Sequence, residues 1–494
     1  MSDVHLEYVN AAYVRIKAEP ALIMELSEYF TYYADNYRFH PKVRARLWDG
    51  KIRMLKRGNL MYAGLAKRIK KFCDMREYTI TWDKELFYNN VTKEELDNFI
   101  ASLNIPNQFE NREYQIDSIL KCIRSKRRTL ISPTSSGKSF MMYILSQWFA
   151  GEKCLIIVPT TGLVTQMSND FISYGYKEDV HLSTNTKGLD SSIINQRITI
   201  TTWQSIIARA DKEWFEQFDL VFGDEAHGAK AMSLINIMES LTNAKYRFGT
   251  TGTLDDKLLN DVTIEGLFGP KYQAVTTKEL MDQGHVSKLK IKCIVLKYPE
   301  EVCKEFHKPV FDNKKKKNRR KNYAEEIEFI TNSDARNKYV RNLTLSLEGN
   351  KLLFFRIIEH GKKLYDLIRE KTDHNIFYID GGVKPESREA IRHAIEDENN
   401  AVLIASLGTT STGVSINKLH HMIAASPSKS KIKVLQSIGR MLRKHSTKDA
   451  AVLYDIVDDL SYKSKRNYIL DHFIERTKIY DKEKFDYKII NIEL

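Results

Sequence analysis

Thr129-Leu130-Ile131-Ser132-Pro133-Thr134-Ser135-Ser136-Gly137-Lys138-Ser139 runs from an apolar segment through a small-residue loop to a Gly-Lys-Ser triplet. Phe140-Met141-Met142-Tyr143-Ile144-Leu145 continues as a helical pattern. Strand, loop and helix in that order suit a nucleotide phosphate. Loop amides and the helix N-terminus point at the phosphates, Lys138 supplies a point charge, and the Ser139 hydroxyl can ligate Mg²⁺. Thr134, Ser135, Ser136 and Gly137 are the loop residues expected around the phosphates. The usual first glycine of such a loop is here Ser132. The stretch predicts a bound nucleoside triphosphate, ATP or GTP.

On either side of it the pattern is strand then helix, repeated. Leu155-Ile156-Ile157-Val158, Ile198-Thr199-Ile200, Leu220-Val221-Phe222 and Arg247-Phe248-Gly249 are apolar strand candidates. A second series after His285 holds Leu352–Phe355, Ile376–Tyr378, Val402–Ala405 and Ala451–Tyr454. Strands separated by helical stretches imply parallel sheets covered by helices. Two series imply two α/β lobes, at 101–285 and 286–494, and only the first carries a phosphate loop.

Residues 1–100 read differently. Ala12–Ile16, Lys51–Leu55 and Tyr78–Trp82 alternate like strands, whereas Leu22–Tyr33 and Leu65–Cys73 have helical spacing. This predicts a small basic α+β domain of roughly β-α-β-β-α-β order. Tyr37, Arg38, Phe39, Lys42, Arg44, Arg46, Trp48, Lys51 and Arg53 interleave cations with π-faces, a composition suited to nucleic-acid backbone and base contacts. The same aromatics could equally form a core with solubilising cations around it. Asn104-Ile105-Pro106-Asn107 has the look of a linker. Lys314-Lys315-Lys316-Lys317-Asn318-Arg319-Arg320-Lys321, in the second lobe, is a dense basic insertion expected to be a flexible solvated loop. Lys314, Lys315 and Arg319 are candidate polyphosphate contacts within it.

The chain has 494 residues, too many for one core. Its 42% hydrophobic and 29% charged content are ordinary for globular protein. No apolar run approaches the roughly 20 residues that span a bilayer, and Met1–His5 has no signal-peptide character. Five scattered cysteines without a CxxC pair argue against a disulfide framework or zinc site and for a reducing, cytoplasmic compartment. A net charge of +13 favours a polyanionic partner over a membrane.

Two further motifs support the phosphate loop. Phe218–Gly223 reads as a strand next to the phosphate-loop strand, ending in Asp224-Glu225-Ala226-His227. Asp224 would hold Mg²⁺, Glu225 would activate water as general base, and His227 would connect the site to the next motif. Gln436-Ser437-Ile438-Gly439-Arg440-Met441-Leu442-Arg443 reads as a helix start. Arg440 and Arg443 share one helical face and could reach a γ-phosphate as arginine fingers do.

In this order the motifs resemble those of superfamily 2 helicases and translocases, over roughly residues 109–460. Arg112-Glu113-Tyr114-Gln115 resembles the adenine-reading element, which implies nucleotide contacts at Arg112 and Gln115; a Gln amide can pair bidentately with adenine, so Gln115 argues for ATP over GTP. Val158-Pro159-Thr160-Thr161 and Thr201-Thr202-Trp203-Gln204 resemble backbone-gripping motifs, which implies nucleic-acid contacts at Pro159, Thr160 and Thr202. Thr250-Thr251-Gly252-Thr253 resembles the motif coupling hydrolysis to movement. Phe354-Phe355-Arg356 and Ala405–Thr409 with Ser411–Ile416 fit second-lobe motifs, implying contacts at Phe355, Arg356 and Thr409. Gln436 joins the arginines in the last motif.

Tyr37–Pro41 with Trp48–Arg53, the phrase Ser411–Ser415, and Gln436 to His445 resemble the bacteriophage UvsW group of recombination helicases. The fold so implied is two tandem RecA-like parallel-sheet lobes preceded by the small α+β domain. The implied function is an ATP- and Mg²⁺-dependent DNA motor on forks, Holliday junctions or R-loops, including RNA–DNA hybrids. A monomer acting in a host cytoplasm beside single-strand-binding or recombination proteins is the corresponding expectation. An RNA-directed helicase, a non-translocating ATP clamp and an annealing protein are the alternatives. Ser415, where many RNA helicases carry aspartate, disfavours the first; Glu225 together with Arg440 disfavours the clamp.

Overall fold

The computed structural model describes residues 2–86, 89–177, 181–182, 196–207, 211–227, 232–252, 257–312, 317–410, 416–426, 438–439, 442–446 and 448–494. It divides into two compact units, residues 1–132 with 136–275, and residues 276–494 with 133–135.

The first unit is built on a seven-stranded sheet. In sheet order the strands are Lys271–Gln273, Arg127–Ile131, Tyr246–Thr251, Leu220–Gly223, Cys154–Val158, Ile198–Thr202 and His181–Leu182. All six pairings are parallel. Cys154–Val158 and Ile198–Thr202 are buried at every residue, the signature of strands covered on both faces. The expected strands are all present. The order corrects one expectation: the strand ending at Asp224 does not adjoin the phosphate-loop strand, because Tyr246–Thr251 lies between them.

N-terminal to that sheet, Leu60–Tyr62, Tyr13–Ala18, Val4–Tyr8 and Ile80–Trp82 form a four-stranded sheet in that order, with helices Pro20–Tyr29 and Ala66–Met75 against it. Val4–Tyr8, which the sequence reading passes over, pairs antiparallel with Tyr13–Ala18 and parallel with Ile80–Trp82. The helix expected over Leu22–Tyr33 stops at Tyr29. Thr31–Tyr33 instead pairs antiparallel with Lys51–Arg53 as a separate ribbon, since a β-branched residue and two tyrosines favour extended backbone. This layer does not have a core of its own. Leu6, Ile16, Phe30, Leu65, Ile69 and Phe72 are continuous with Leu155, Ile157, Val221, Val262, Ile264 and Phe268 of the large sheet and its helix Leu258–Phe268. Contact is backbone to backbone: a Cβ on Gly64 would lie 2.1 Å from the Glu265 carbonyl oxygen, and one on Gly266 would lie 2.8 Å from the Tyr62 ring. Tyr62 Oη and Lys56 Nζ both donate to Glu239 Oε1, at 2.6 and 2.5 Å, and Arg68 Nε donates to Glu265 Oε2 at 2.6 Å.

The second unit carries another all-parallel seven-stranded sheet: Ile376–Ile379, Val402–Ser406, Lys351–Phe355, His421–Ala424, Ala450–Asp459, Lys288–Lys297 and Tyr487–Glu493. The basic insertion departs from the flexible-loop expectation in its second half. Lys317–Arg319 pairs antiparallel with Val310–Asp312. Its charges find partners: Arg319 forms a fork on Glu325 at 2.7 and 2.8 Å, Arg320 lies over the Tyr468 ring, and Lys321 Nζ donates to the Phe306 carbonyl at 2.8 Å. Lys314 and Lys315 lie outside the described residues. All five cysteines are free and buried. Among the described residues no helix is long and apolar enough to cross a membrane.

Candidate nucleotide site

The strand Arg127–Ile131 delivers the chain to the loop, where the Ser132 N–H donates to the Thr251 carbonyl at 2.8 Å. Ser132 and Ser136 are both fully buried, and the Ser132 hydroxyl donates to the Ser136 hydroxyl at 2.5 Å. The residue that stands in place of glycine therefore closes the loop from inside. Ser135 and Gly137 take the left-handed conformation at φ 68° and 80°. A Cβ at Gly137 would sit 2.3 Å from Gln115 Nε2, so glycine is required by space as well as by φ. Helix Lys138–Trp148 then buries seven of its eleven residues, which fixes the loop on a rigid base.

Helix Glu113–Ser125 grips the loop from the other side. Gln115 Nε2 donates to the Ser136 carbonyl at 2.9 Å and Tyr114 Oη donates to the same oxygen at 2.8 Å. Gln115 Oε1 accepts the Arg112 N–H at 3.1 Å, and Arg112 Nη1 donates to Tyr114 Oη at 2.9 Å. Both ends of the Gln115 amide are thus engaged by backbone. Bidentate pairing with adenine would need those bonds to open.

Asp224 follows the strand Leu220–Gly223 and its N–H donates to the Ile157 carbonyl at 2.9 Å. Thr250 Oγ1 donates to Asp224 Oδ1 at 2.7 Å. Burial, then the neighbouring Glu225 charge, raises the Asp224 pKa, while Lys138 and the Thr250 bond oppose the rise. Glu225 is itself left-handed at φ 50°, with Oε1 3.8 Å from Lys138 Nζ and Oε2 3.2 Å from His227 Nδ1. His227 Nδ1 also lies 3.0 Å from Thr251 Oγ1. The strand interposed between the two halves of the site thus touches both Asp224 and His227 through successive threonines.

Two adjacent carboxylates beside one lysine make a donor set deficient in positive charge, which fits a hard divalent cation. The Ser139 hydroxyl, 2.9 Å from Tyr174 Oη, is the neutral oxygen on the phosphate-loop side. Among the described residues no group of three or more His, Cys, Asp and Glu could hold a metal. The carboxylate of Asp224 and the Ser139 hydroxyl are donors of the kind Mg²⁺ takes, one or two carboxylates with water and phosphate oxygens completing its shell.

The expected nucleic-acid contacts divide. Pro159 and Thr160 end the strand Cys154–Val158, half-buried, and Gln204 Nε2 reaches the Pro159 carbonyl at 3.5 Å, which brings the two first-unit motifs together. Thr202 is buried, with its hydroxyl 2.9 Å from Ser205 Oγ at the start of helix Trp203–Ile207. Thr409 is buried and donates to the Ser406 carbonyl at 2.8 Å. Phe355 is corrected: it is fully buried, stacked on Tyr378 at 5.5 Å and closed in by Gly361, so the exposed neighbour Arg356 is the residue able to reach outward. Arg319 is committed to Glu325. Gln436 and Arg440 lie outside the described residues. Arg443 is half-buried and follows the helical pair Ile438–Gly439 in an irregular segment, so the expected helical face does not extend to it. Tyr114 and Tyr174 were not among the expected site residues, whereas Thr250 lies in the motif expected to couple hydrolysis to movement. Tyr114 could have been found as the neighbour of Gln115, but Tyr174, one of 25 tyrosines, carries no spacing signal.

Comparison with known proteins is consistent along the chain. Residues 3–83 match the family model "DNA helicase UvsW, N-terminal", residues 108–256 "Type III restriction enzyme, res subunit", and residues 335–445 "Helicase conserved C-terminal domain". The ATP-dependent DNA helicase uvsW of Enterobacteria phage T4 is 35% identical over 515 residues, covering 100% of both chains. A DNA 3'-5' translocase XPB2 of Sulfurisphaera tokodaii is 25% identical over 78% of this chain and 89% of its own. The crystal structure of T4 UvsW matches with TM-score 0.50 and 33% identity, over 99% of each chain. A DNA-bound Type ISP restriction-modification enzyme, LlaBIII, matches in fold with TM-score 0.59 at 15% identity, over 78% of this chain and 32% of that one. With end-to-end identity of this order, and the phosphate loop and the Asp224–His227 cluster in their places, the chain belongs to the UvsW family of ATP-dependent DNA helicases within superfamily 2.

Proposed function

We propose that this helicase remodels branched DNA and that its N-terminal layer grips the branch. The observation carrying this reading is the excursion Ala34–Asp49 between the ribbon strands Thr31–Tyr33 and Lys51–Arg53, in which no residue is buried. Phe39 and Leu47 are 76% and 79% exposed, among Arg38, Lys42, Arg44 and Arg46. Tyr33 stacks on Tyr37 at 4.4 Å, with Lys51 over the Tyr33 ring and Arg38 over the Tyr37 ring. Apolar tips between cations can meet exposed bases at a junction while the cations hold phosphates.

In the ATPase cycle, Gly137, Lys138 and Ser139 bind phosphates, and Gln115 and Tyr114 hold the loop in shape. Ser139 and Asp224 are the residues that would hold Mg²⁺, which supplies charge neutralisation on the phosphate oxygens when bound. Glu225 takes a proton from the attacking water, and His227 keeps its carboxylate oriented. Gln436, Arg440 and Arg443 stabilise the developing charge. Pro159, Thr160, Thr202, Arg356 and Thr409, at or just beyond the ends of parallel strands, track the backbone. The protein acts as a monomer in the host cytoplasm, where recombination and single-strand-binding proteins share its substrate.

The test is ATP turnover stimulated by a panel of single strand, duplex, fork, four-way junction, RNA–DNA hybrid and RNA. Fork and junction should stimulate most. Replacing Phe39 and Leu47 by Ala should remove that preference and leave single-strand stimulation in place. Equal stimulation by duplex and junction sinks the branch reading, and preferential stimulation by RNA returns the RNA helicase.

A further inference from the structure

The strand that ends in the nucleotide loop begins about 15 Å away, at Arg127, by the rise of a five-residue strand. A separate cavity of about 170 Å³ lies at that end, between the N-terminal layer and the large sheet of the same unit. Lys67, Lys126, Arg127 and Lys245 line it, against a single wall carboxylate, Glu85. Lys245 is partly neutralised by Glu152 at 2.8 Å. Lys126 Nζ donates to the Glu85 carbonyl at 3.4 Å.

Arg127 is the centre of the feature. Its Nη2 donates to the Ala11 carbonyl at 2.5 Å, while Nη1 is buried and makes no hydrogen bond among the described residues. Burial lowers its pKa to about 10. Behind it Arg247 is fully buried, held by the Met238, Leu241 and Ala244 carbonyls and, among the described residues, by no carboxylate. A buried guanidinium without a counter-ion is costly, and a donor nitrogen left over makes it more so. Helix Ala66–Met75 starts at the cavity wall with no side-chain cap and no acidic residue in its first turn, so its positive end adds to the field.

We infer that this cavity is a second phosphate-binding site, distinct from the nucleotide loop, that takes a compact phosphate group. A tetrahedral oxyanion accepts from several donors at once, which suits flexible ammonium groups and a helix N-terminus converging on one space, with the unmet Arg127 donor in its wall. The same chemistry is offered by a phosphate of DNA, at an end or in the backbone, and by free phosphate.

The test uses the full-length chain carrying Lys138→Ala, so that the nucleotide loop does not compete for the probe. Inorganic phosphate is titrated against potassium chloride of equal ionic strength and the thermal midpoint is read. A saturable rise above the chloride control is expected. Adding Lys67→Ala and Lys126→Ala should weaken the apparent Kd at least tenfold, with the phosphate-free midpoint showing that the fold is kept. Arg127→Lys, which keeps the charge but not the fork, should weaken it as well. No saturable rise, or a rise unaltered by the lysine substitutions, overturns the site. Competition by duplex DNA then identifies the source. Competition only by 5'-phosphorylated duplex assigns DNA ends, equal competition by dephosphorylated duplex assigns the backbone, and none assigns free phosphate.

Discussion

In the first unit the polar side chains buried around the nucleotide site are mostly hydroxyls: Ser132, Ser136, Thr202, Thr250 and Thr251. In the second unit the polar core is charged. Arg336 pairs with Asp458 at 2.7 Å, and Arg476 forks onto Asp455 at 2.8 and 2.9 Å. Buried Glu326 accepts from Asn467 Nδ2 and from the Tyr468 and Ile469 N–H groups, each at 2.8 Å, and so caps helix Tyr468–Lys482. A hydroxyl can exchange one hydrogen bond for another at little cost. A buried ion pair cannot be opened without leaving an uncompensated charge. One sheet is therefore a site that can rearrange around a ligand, and the other a frame that resists rearrangement.

The largest effect that probes this contrast lies at Glu225. Glu225→Gln should cut ATP turnover by about 10²–10⁴-fold while nucleotide still binds, because only the base is removed. Lys138→Ala should lose turnover and binding together. If Glu225→Gln also abolishes binding, the carboxylate is holding the loop and the division of roles is wrong. Next comes Asp458→Ala, which strands Arg336 and should cost about 3–5 kcal/mol in the urea unfolding of the second unit. A double change to apolar residues, Arg336→Met with Asp458→Leu, should recover most of that. A loss under about 1 kcal/mol in the single variant would show that the second core is as adaptable as the first.

The third handle is pH. Burial, then Arg336 and Lys363, pushes His360 down to about 3, and its imidazole Nε2 lies 3.0 Å from Asn337 Oδ1. The unfolded chain takes up a proton near 6.5 and the folded one does not. The contribution is complete above that value and is lost as pH falls from 6.5 toward 3, by about 1.4 kcal/mol per unit. His421, lowered to about 4 mainly by burial, adds in the same direction. Urea midpoints at pH 7 and pH 5 should separate, and His360→Gln should reduce the separation without removing it. The smallest effect is Thr250→Val, which removes the Asp224 bond and should cost about 1 kcal/mol. Turnover should fall with it; unchanged turnover would detach that strand from the chemistry.

Much of this was legible in the chain. The phosphate-loop strand and helix, the alternation that makes both parallel sheets, and the approach of Lys138 to Glu225 follow from local pattern and motif order. What was not legible depends on non-local facts. Motif order does not give sheet order, so the strand carrying Thr250 and Thr251 came as a correction. A motif string does not say which side chain faces the core, so Phe355 was expected outward and is buried behind Gly361. Charge density alone predicted a loose insertion at Lys317–Arg319, because it does not show the partners that the fold supplies: nearby Glu325 and the Phe306 carbonyl, and the distant Tyr468 ring. Gln115 read as a base-contacting amide and is bound to the Ser136 carbonyl, a bond that closes across 21 residues.

The crossing of Gly64 over Glu265 and Gly266 has a mechanical consequence. Backbones that touch leave no room for a bearing, and the shared apolar core leaves no seam along which the N-terminal layer could slide. The ribbon with Phe39 and Leu47 thus belongs to the same compact unit as Lys138 and the helix that begins there. An apolar substitution in that shared core, at Leu65 or Phe268, would therefore disturb the ribbon's support and the phosphate-loop sheet together.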